Sequence, residues 1–396
     1  MNRYRMQAAT GWWSPQLNAT MVRLLRGFRR WKQKRDEGLL DVQVFGAERV
    51  RQLITDNHAV LITPNHSTHA DAYSIYAAAD AIGVPVYMMA AWQVFADKSL
   101  LGRQVLRWHG CFSVDREATD LRAFRQAVEV LETRPEPLVV FPEGEVYHCN
   151  ARVRPFRDGA AAIALSACKR GRRPIACVPC GIWYEYIDSP EPALLKLMDD
   201  LEQEMFWRPR PDLPLRERIY RFAEVPLMIK ELEFLGRAGS GPLPPRLEVL
   251  IDKVLHNIEV RHDITSHAGK TPERVKELRF RVIQGLKQEN LDEAARRGLQ
   301  DDLDDVFLAV QLYSYPGDYV AEEPTIERMA ETLDKFEEDV LNRYSATVRG
   351  TRRARVMFGE PIAVERSANR KMAIPQLTEV LEHEVQRLID TLRDRL

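Results

Sequence analysis

Short apolar runs alternate with longer helical stretches from residue 59 to residue 186. Runs such as 59–64 (AVLITP) are continuously apolar over the length of a buried strand. Stretches such as 71–83 (DAYSIYAAADAIG) are longer and end in a glycine, which is typical of a helix. The pattern predicts strands at 59–64, 84–90, 111–116, 137–142 and 174–184, and helices at 71–83, 98–110, 120–134 and 158–171. Strands that alternate with helices indicate an α/β fold with a mostly parallel sheet flanked by helices.

The pattern changes after Tyr186, where a mostly helical stretch follows. Apolar spacing of three and four positions predicts helices at 215–236, 246–258, 272–288 and 326–344. Strand character returns at 353–364, and a closing helix follows. The sequence therefore predicts one α/β domain made of residues 41–186 and 353–396, with a large helical insertion, 187–352, before the last strand.

Residues 1–40 are predicted to form an amphipathic N-terminal helix region. Apolar residues fall on one helical stripe within 15–35, and seven arginine and lysine residues flank it; the stripe consists of Leu17, Met21, Leu24, Leu25, Phe28 and Trp31. One interpretation is peripheral binding to an anionic membrane surface. The other is an ordinary helix whose apolar face packs on the domain.

Composition excludes some classes of protein and leaves others open. Lys and Arg total 57 against 58 for Asp and Glu, so no overall field favours nucleic acid, and we expect no nucleic-acid partner. The chain lacks the pattern of a secretory leader and any stretch of about 20 apolar residues, so we expect no membrane-spanning helix. The five cysteines are an odd number and fit a reducing compartment. A cytoplasmic protein associated with the inner face of the membrane is expected, with the CxxC at Cys177 and Cys180 as buried thiols.

Polar residues follow directly after the first predicted strand, in the segment NHSTHAD at 65–71. On a regular helix, five residues would rotate His66 and Asp71 by about 140 degrees, so His66 must lie in the turn before the helix to meet Asp71. A carboxylate on one imidazole nitrogen fixes the tautomer and leaves the other nitrogen as a base. The alternatives are a metal site that adds His69, which lacks the usual ligand spacing, and a simple polar helix cap.

Two further strand ends carry polar residues that face the same edge of the predicted sheet. Arg116 ends one strand and can hold a phosphate, while Gly144 in the segment 141–145 (FPEGE) lets backbone amides approach a ligand. Taken singly, these residues are as readily explained by a surface ion pair and a turn. Three arginines follow that could contact a phosphate or belong to a solvated loop: Arg152, Arg154 and Arg157.

Together, in this order, these segments resemble the glycerol-3-phosphate and 1-acylglycerol-3-phosphate acyltransferase superfamily. Its NHxxxxD motif matches at 65–71, and a strand that runs from a glycine to an arginine matches from Gly110 to Arg116. Its FPEGTR motif matches through 141–144, and a Val-Pro strand matches at Val178 and Pro179. The segment FGEPI, 358–362, also resembles a late strand of the family, so the resemblance covers roughly half the chain.

The resemblance implies transfer of an acyl chain from acyl-CoA or acyl carrier protein to a hydroxyl of a lysophospholipid or glycerol-phosphate acceptor. His66 would be the general base, oriented by Asp71. Substrate contacts would come from Arg116, Glu143, Gly144, Gly110 and Pro179. The family uses neither a metal nor a cofactor besides the acyl donor.

This chain departs from the family pattern where Glu145 and Val146 replace the usual Thr-Arg. A second carboxylate should repel a phosphate, unless the following arginines compensate for it. The acceptor could therefore be a different lipid, such as lyso-ornithine lipid, or the protein could be a lipid-binding module without turnover.

Overall fold

A computed structural model describes residues 9–116, 118–264, 269–288, 290–343, 345–367 and 369–394. Contacts divide the chain into two compact units. An α/β unit contains Ala9–Arg116, Asp120–Pro190 and Val348–Leu396, and a helical unit contains Glu191–Thr347 with two short segments. The first eight residues of the predicted N-terminal region lie outside the described residues.

The α/β unit begins with the following elements, in chain order: α1 (Ala19–Leu24), α2 (Arg26–Glu37), β1 (Leu39–Phe45), α3 (Ala47–Thr55), β2 (Ala59–Pro64), α4 (Asp71–Ile82), β3 (Tyr87–Ala91), α5 (Trp92–Ala96), α6 (Leu100–Trp108), β4 (Cys111–Val114), α7 (Leu121–Thr133), β5 (Leu138–Val139), α8 (Gly159–Arg170) and β6 (Ile175–Tyr186). The helical unit contains α9 (Glu191–Glu204), α10 (Leu215–Leu235), α11 (Leu243–Arg261), α12 (Thr271–Leu286), α13 (Glu293–Tyr313), α14 (Tyr319–Glu322) and α15 (Ile326–Val340). The α/β unit is completed by β7 (Arg352–Phe358), β8 (Ile362–Val364) and α16 (Arg370–Arg393).

The eight strands within the described part of the chain form one sheet in the order β1-β7-β6-β2-β5-β3-β4, with β8 beside β6. All neighbouring strands run parallel except β7 and β8, which are antiparallel to β6. The prediction of a mostly parallel sheet with flanking helices is thereby confirmed. Two strands follow the helical stretch, however, whereas one was predicted, because the chain turns at Gly359 and returns to pair with β6 a second time.

The centre of the sheet is buried on both faces. Every residue of β2 is buried, and β6 is buried along nearly its whole length. Parallel strands covered by helices on both sides need such continuous apolar runs, which is why the sequence pattern located them. The edge strand β1 has a mixed, partly exposed pattern and was not predicted, and neither was α3.

The N-terminal stripe forms two helices, α1 and α2, which meet at Leu25, whereas one helix was predicted. The side of α2 that packs on the domain is polar. Arg29 is buried, and its Nη2 donates to Asp80 Oδ2 at 2.8 Å. Leu24, Phe28 and Trp31 are instead 72%, 55% and 49% exposed. The outer apolar face, as we name these three residues, is therefore directed away from the core. The other three residues of the stripe, Leu17, Met21 and Leu25, are partly buried, so both interpretations of the stripe stay open.

The helical unit joins successive helices through arginine–glutamate pairs. Arg218 of α10 bonds Glu202 of α9, with its Nη2 2.7 Å from Oε2. Arg246 of α11 bonds Glu231 of α10 across 2.8 Å, and both side chains are almost fully buried. Such a pair is costly to break on one side only, because the remaining charge is then buried without its partner. Among the described residues, no helix has both the length and the apolarity that crossing a membrane requires.

Candidate active site

His66 lies in the turn between the end of β2 at Pro64 and the start of α4 at Asp71. Its Nδ1 is 2.8 Å from Asp71 Oδ2. Because a carboxylate only accepts, Nδ1 carries the proton and Nε2 keeps its lone pair. The two residues that the sequence pairs are thus in contact at the carboxyl end of a central parallel strand, where ligands of such sheets bind.

Both oxygens of Asp71 are engaged, and the residue is fully buried. Oδ2 also accepts from the backbone N–H of Thr68 at 3.1 Å, and Oδ1 accepts from the hydroxyl of Tyr184 at 2.8 Å. The Tyr184 hydroxyl lies 2.7 Å from the Ser74 hydroxyl. The carboxylate therefore has little freedom to turn away from His66.

Burial lowers the pKa of His66 below its usual value of 6.5, although Asp71 acts in the opposite direction. The side chain is still 21% exposed, and its ring stacks on that of Phe141 with centroids 4.2 Å apart. An imidazole in this position is neutral at neutral pH and reachable from solvent. It can accept a proton at Nε2 while Asp71 stabilises the resulting cation.

Two asparagines extend the central sheet with their side chains. The Asn65 amide donates to Ile182 O at 3.0 Å and its Oδ1 accepts from Ile182 N at 2.7 Å. Asn150 makes the same pair of bonds to Tyr184, at 2.7 and 3.0 Å. Because these side chains satisfy the backbone of β6, the main chain that follows β2 can leave the sheet and form the His66 turn.

Glu143 is 2% exposed, and both of its oxygens accept from backbone amides. Oε1 lies 2.7 Å from His66 N, and Oε2 lies 3.2 Å from Arg154 N. Burial raises the pKa of Glu143 to about 8, against these two donors, which lower it. The carboxyl group thus ties the His66 turn to the loop after β5. Its predicted contact with substrate stays a prediction.

Arg116 lies after β4, at the same edge of the sheet as His66, and its guanidinium forms an ion pair with Glu145. Its Nη1 lies 2.6 Å from Glu145 Oε2 and donates to Gly144 O at 2.8 Å. Gly144 has a φ of +76°, and a Cβ there would come within 2.8 Å of Arg157 Nε. The glycine therefore makes room for the Arg157 side chain, whose Nη1 donates to Arg116 O at 3.1 Å.

The loop that follows Glu143 is held by the C-terminal helix α16. Gln386 Oε1 accepts from Val153 N at 2.9 Å, and Glu382 Oε2 accepts from Phe156 N at 2.6 Å. This loop carries Arg152, Arg154 and Arg157, all of them partly buried. Arg154 lies over the ring of Tyr147, with its Cζ 5.7 Å from the ring centroid. A phosphate contact by any of the three arginines stays a prediction.

Gly110 and Pro179 lie where the packing of the sheet accounts for them. Gly110 lies at the amino end of β4, opposite the edge that carries His66, and a Cβ there would lie 2.4 Å from Val86 O. Pro179 is buried within β6, at the point where the pairing of that strand changes from β8 to β7. Both residues have a structural reason for their identity, because the glycine permits a close approach and the proline occupies a gap in strand pairing. Their predicted contacts with substrate stay predictions.

Sequence reasoning missed Tyr184, Ser74 and Asn150. Tyr184 is 113 residues from Asp71 and lies in a segment that was identified only as a buried strand. A polar side chain in the middle of a buried strand or helix needs a partner, so Tyr184 and Ser74 carried a weak signal. Nothing local indicated what that partner was.

A mostly parallel sheet with a His–Asp pair in the turn after a central strand defines a class of α/β protein equipped for proton transfer at Nε2. Comparison with known families specifies the class further. Residues 41–183 match the family model described as Acyltransferase. This match supports the resemblance of the segment to the glycerol-3-phosphate and 1-acylglycerol-3-phosphate acyltransferase superfamily, which the four motifs indicated.

A curated relative is the glycerol-3-phosphate acyltransferase of Aeromonas hydrophila subsp. hydrophila, which is 27% identical over 179 residues. The match covers 42% of this chain but 21% of the relative, so this chain spans about a fifth of that protein. A solved structure of the 1-acyl-sn-glycerophosphate (LPA) acyltransferase from Thermotoga maritima covers 41% of this chain and 57% of its own, at 20% identity. Its TM-score is 0.29, too low for a residue-by-residue argument.

Proposed function

We propose that the protein is an O-acyltransferase that moves an acyl chain from a thioester, acyl-CoA or acyl carrier protein, to a hydroxyl of a lysolipid. The observation that carries this proposal is the 2.8 Å contact between His66 Nδ1 and Asp71 Oδ2 within the matched acyltransferase segment. This contact prepares Nε2 to accept the proton of the acceptor alcohol.

The reaction balances with these residues alone. The acceptor oxygen attacks the thioester carbonyl carbon while its proton passes to His66 Nε2. The tetrahedral intermediate then collapses, the C–S bond breaks, and the leaving thiolate takes the proton from Nε2. The products are an ester and a free thiol, so neither an acyl-enzyme nor a metal or other cofactor enters the scheme. General-base catalysis of this kind contributes about 10²- to 10⁴-fold in rate.

The test is thiol release from acyl-CoA, and separately from acyl carrier protein, with a mixed lysolipid extract as acceptor and products identified by mass. We expect His66→Ala to lose at least about 100-fold in rate while it remains folded. His58→Ala is the matched control, because His58 precedes the same strand at its other end. A fully active His66→Ala enzyme would refute the mechanism. Absence of thiol release by the wild type with every acceptor would favour the lipid-binding module.

A second candidate concerns the acceptor. The contact between Arg116 and Glu145 favours a lipid without a phosphomonoester, such as lyso-ornithine lipid. A carboxylate 2.6 Å from the guanidinium already neutralises it, so a phosphate dianion would have to displace Glu145 or approach it against repulsion. An amine or hydroxyl headgroup would meet no such barrier.

A comparison of acceptors with Glu145→Gln separates the two candidates. If Glu145 disfavours phosphate, the variant should gain about tenfold in kcat/KM for lysophosphatidic acid relative to lyso-ornithine lipid, since removal of one close charge is worth about 1.4 kcal/mol. Glu360→Gln breaks the Arg49–Glu360 pair, whose Nη2–Oε1 distance is 2.7 Å, and should leave the ratio unchanged. If Glu145→Gln left the ratio of the two kcat/KM values unchanged, the second candidate would fail and a glycerol-phosphate acceptor would be favoured.

Peripheral membrane binding through the outer apolar face forms part of the proposal. Leu24, Phe28 and Trp31 are exposed, and the surrounding positions supply positive charge: Arg23, Arg26, Arg30, Lys34 and Arg35. Apolar side chains flanked by cations suit the surface of an anionic membrane. Such binding would place the site near its lipid acceptor, at the inner face of a cytoplasmic membrane.

Co-sedimentation with vesicles of anionic phospholipid tests this surface. Phe28→Glu with Trp31→Glu should reduce the bound fraction at least about tenfold, because burial of each aromatic side chain is worth about 2 kcal/mol or more. Phe206→Glu introduces the same charge at a residue that is 97% exposed in the helical unit and should bind as the wild type does. Undiminished binding by the double variant would remove α1 and α2 from the proposal.

A further inference from the structure

The His–Asp pair is the end of a longer chain of hydrogen bonds. Tyr184 donates its hydroxyl proton to Asp71 Oδ1 across 2.8 Å. Its oxygen must therefore accept from the Ser74 hydroxyl, which lies 2.7 Å away. The bonds thus run in one direction, from Ser74 to Tyr184 to Asp71, and Asp71 in turn accepts from His66.

The members of this chain are shielded from water. Ser74 and Asp71 are fully buried and Tyr184 is 4% exposed. Burial and the neighbouring carboxylate raise the pKa of Tyr184 well above its usual value, so the phenol stays protonated and remains a donor. In such surroundings a hydrogen bond is stronger than in water, and a missing partner is correspondingly costly.

Tyr184 is itself fixed from both sides. Its backbone N–H and C=O are both bonded by the side chain of Asn150, and its neighbours on β6 pair with β7. The hydroxyl therefore approaches Asp71 from a rigid central strand, whereas His66 approaches it from a turn. Strand β6, through the Tyr184 hydroxyl, fixes the position of the Asp71 carboxylate, and that carboxylate in turn orients the His66 ring.

We infer that Tyr184 is a positioning residue that acts through Asp71 on both the orientation and the basicity of His66. A donor on Oδ1 prevents rotation of the carboxylate and keeps Oδ2 aimed at Nδ1. It also withdraws negative charge from the carboxylate, which weakens the stabilisation of the imidazolium ion. Tyr184 thus keeps His66 neutral, and ready to accept a proton, at a lower pH than Asp71 alone would allow. The effect of Tyr184 on the pKa of His66 does not depend on the proposed function; only its consequence for the rate of acyl transfer rests on that function.

The test is an NMR titration of labelled histidine in the full-length protein, with Tyr184→Phe as the main variant. The pKa of His66 should rise by about half a unit to one unit, the equivalent of one hydrogen bond to Asp71. Tyr76→Phe is the matched control: it removes a phenol hydroxyl from the same helix as Asp71, but that hydroxyl contacts Cys111 Sγ at 3.0 Å and should leave the His66 pKa unchanged. Ser74→Ala should give a smaller rise, because Tyr184 becomes a weaker donor.

Activity gives a second readout. The acid limb of the kcat/KM profile should move up in pH together with the His66 pKa, and kcat should fall about tenfold with KM nearly unchanged. An unchanged His66 pKa in both Tyr184→Phe and Ser74→Ala would overturn the inference. If Tyr184→Phe does not fold, the titration of Ser74→Ala alone decides it. If the wild type transfers no acyl chain, the proposed function fails, and the titration still decides the inference.

Discussion

Asn65→Asp is the most informative single substitution in this fold, because it changes one atom in a buried, fully paired side chain. Asn65 is 1% exposed, and it both donates to Ile182 O and accepts from Ile182 N. An ionised aspartate can accept from Ile182 N but cannot donate to Ile182 O, so it would place two oxygens in contact. A protonated aspartate supplies both a donor and an acceptor and can replace the amide.

The substitution should therefore destabilise the protein in a pH-dependent way. Burial and the lost donor should raise the folded-state pKa of the new carboxyl by about two units above its unfolded value of about 3.9. A group whose pKa is raised on folding contributes its stabilisation below the unfolded pKa, and that contribution is lost as the pH rises through the folded pKa. The loss at pH 8 should be about 3 kcal/mol, and at pH 4 the variant should lie within about 1 kcal/mol of the wild type.

Hydrogen exchange of the peptide that contains β6 measures this effect where it arises. A loss of about 3 kcal/mol corresponds to exchange that is faster by roughly 100-fold at pH 8, after correction for the intrinsic rate. Asn57→Asp is the matched control, because Asn57 is exposed and has a φ of 59°, a conformation that aspartate also tolerates. Equal protection of Asn65→Asp and wild type at pH 8, or an equal loss at pH 4 and pH 8, would refute the role assigned to Asn65.

Three further predictions test the pKa of His66, the requirement for glycine in the turn before β4, and the buried Arg246–Glu231 pair of the helical unit. Because burial lowers the pKa of His66 below 6.5 and the base must be neutral, kcat/KM should decline on the acid side with a midpoint below pH 6.5; a midpoint above 7 would contradict this. Gly110→Ala should lose about 3 kcal/mol in urea denaturation, because a φ of +79° and a Cβ 2.4 Å from Val86 O are both unfavourable; a stable variant would show that the turn can relax. Arg246→Ala should cost about 3–5 kcal/mol because it leaves Glu231 buried without its partner, whereas Arg246→Met with Glu231→Leu should cost much less; equal losses would disprove that reasoning.

The alternating strands and helices of the α/β unit were predictable because each element carries its own pattern. Strands β2 and β6 are buried on both faces and therefore consist of apolar runs that stand out from their neighbours. β1 was not predictable in this way, since it is an edge strand with an exposed Asp41 and pairs with β7, more than 300 residues later in the chain. Pairing with a strand so distant in the chain produces no recognisable pattern in the sequence of β1 itself.

In the candidate site, too, contacts between residues close in sequence were predictable, whereas contacts between distant residues were not. His66 and Asp71 are five residues apart, so the geometry of one turn sufficed to predict their contact. A substrate contact by Glu143 was implied by the family resemblance and stays a prediction. The oxygens of Glu143 accept from the amides of His66 and Arg154, and no property of its own segment indicated these contacts.

Glu145, which stands where the family commonly has threonine, bears on which acceptor lipid the protein would use. The sequence reveals an added negative charge beside an expected phosphate site, but it leaves open whether nearby arginines compensate for that charge. The structure places the Glu145 carboxylate on Arg116 itself, so the added charge is taken up by the residue expected to hold the phosphate. If Arg116 is a phosphate contact, as the resemblance implies, pairing with Glu145 would change that contact and leave His66 and Asp71 unaltered. Under the proposed function, this pairing would change the acceptor while the His66–Asp71 pair and its supporting contacts remain intact.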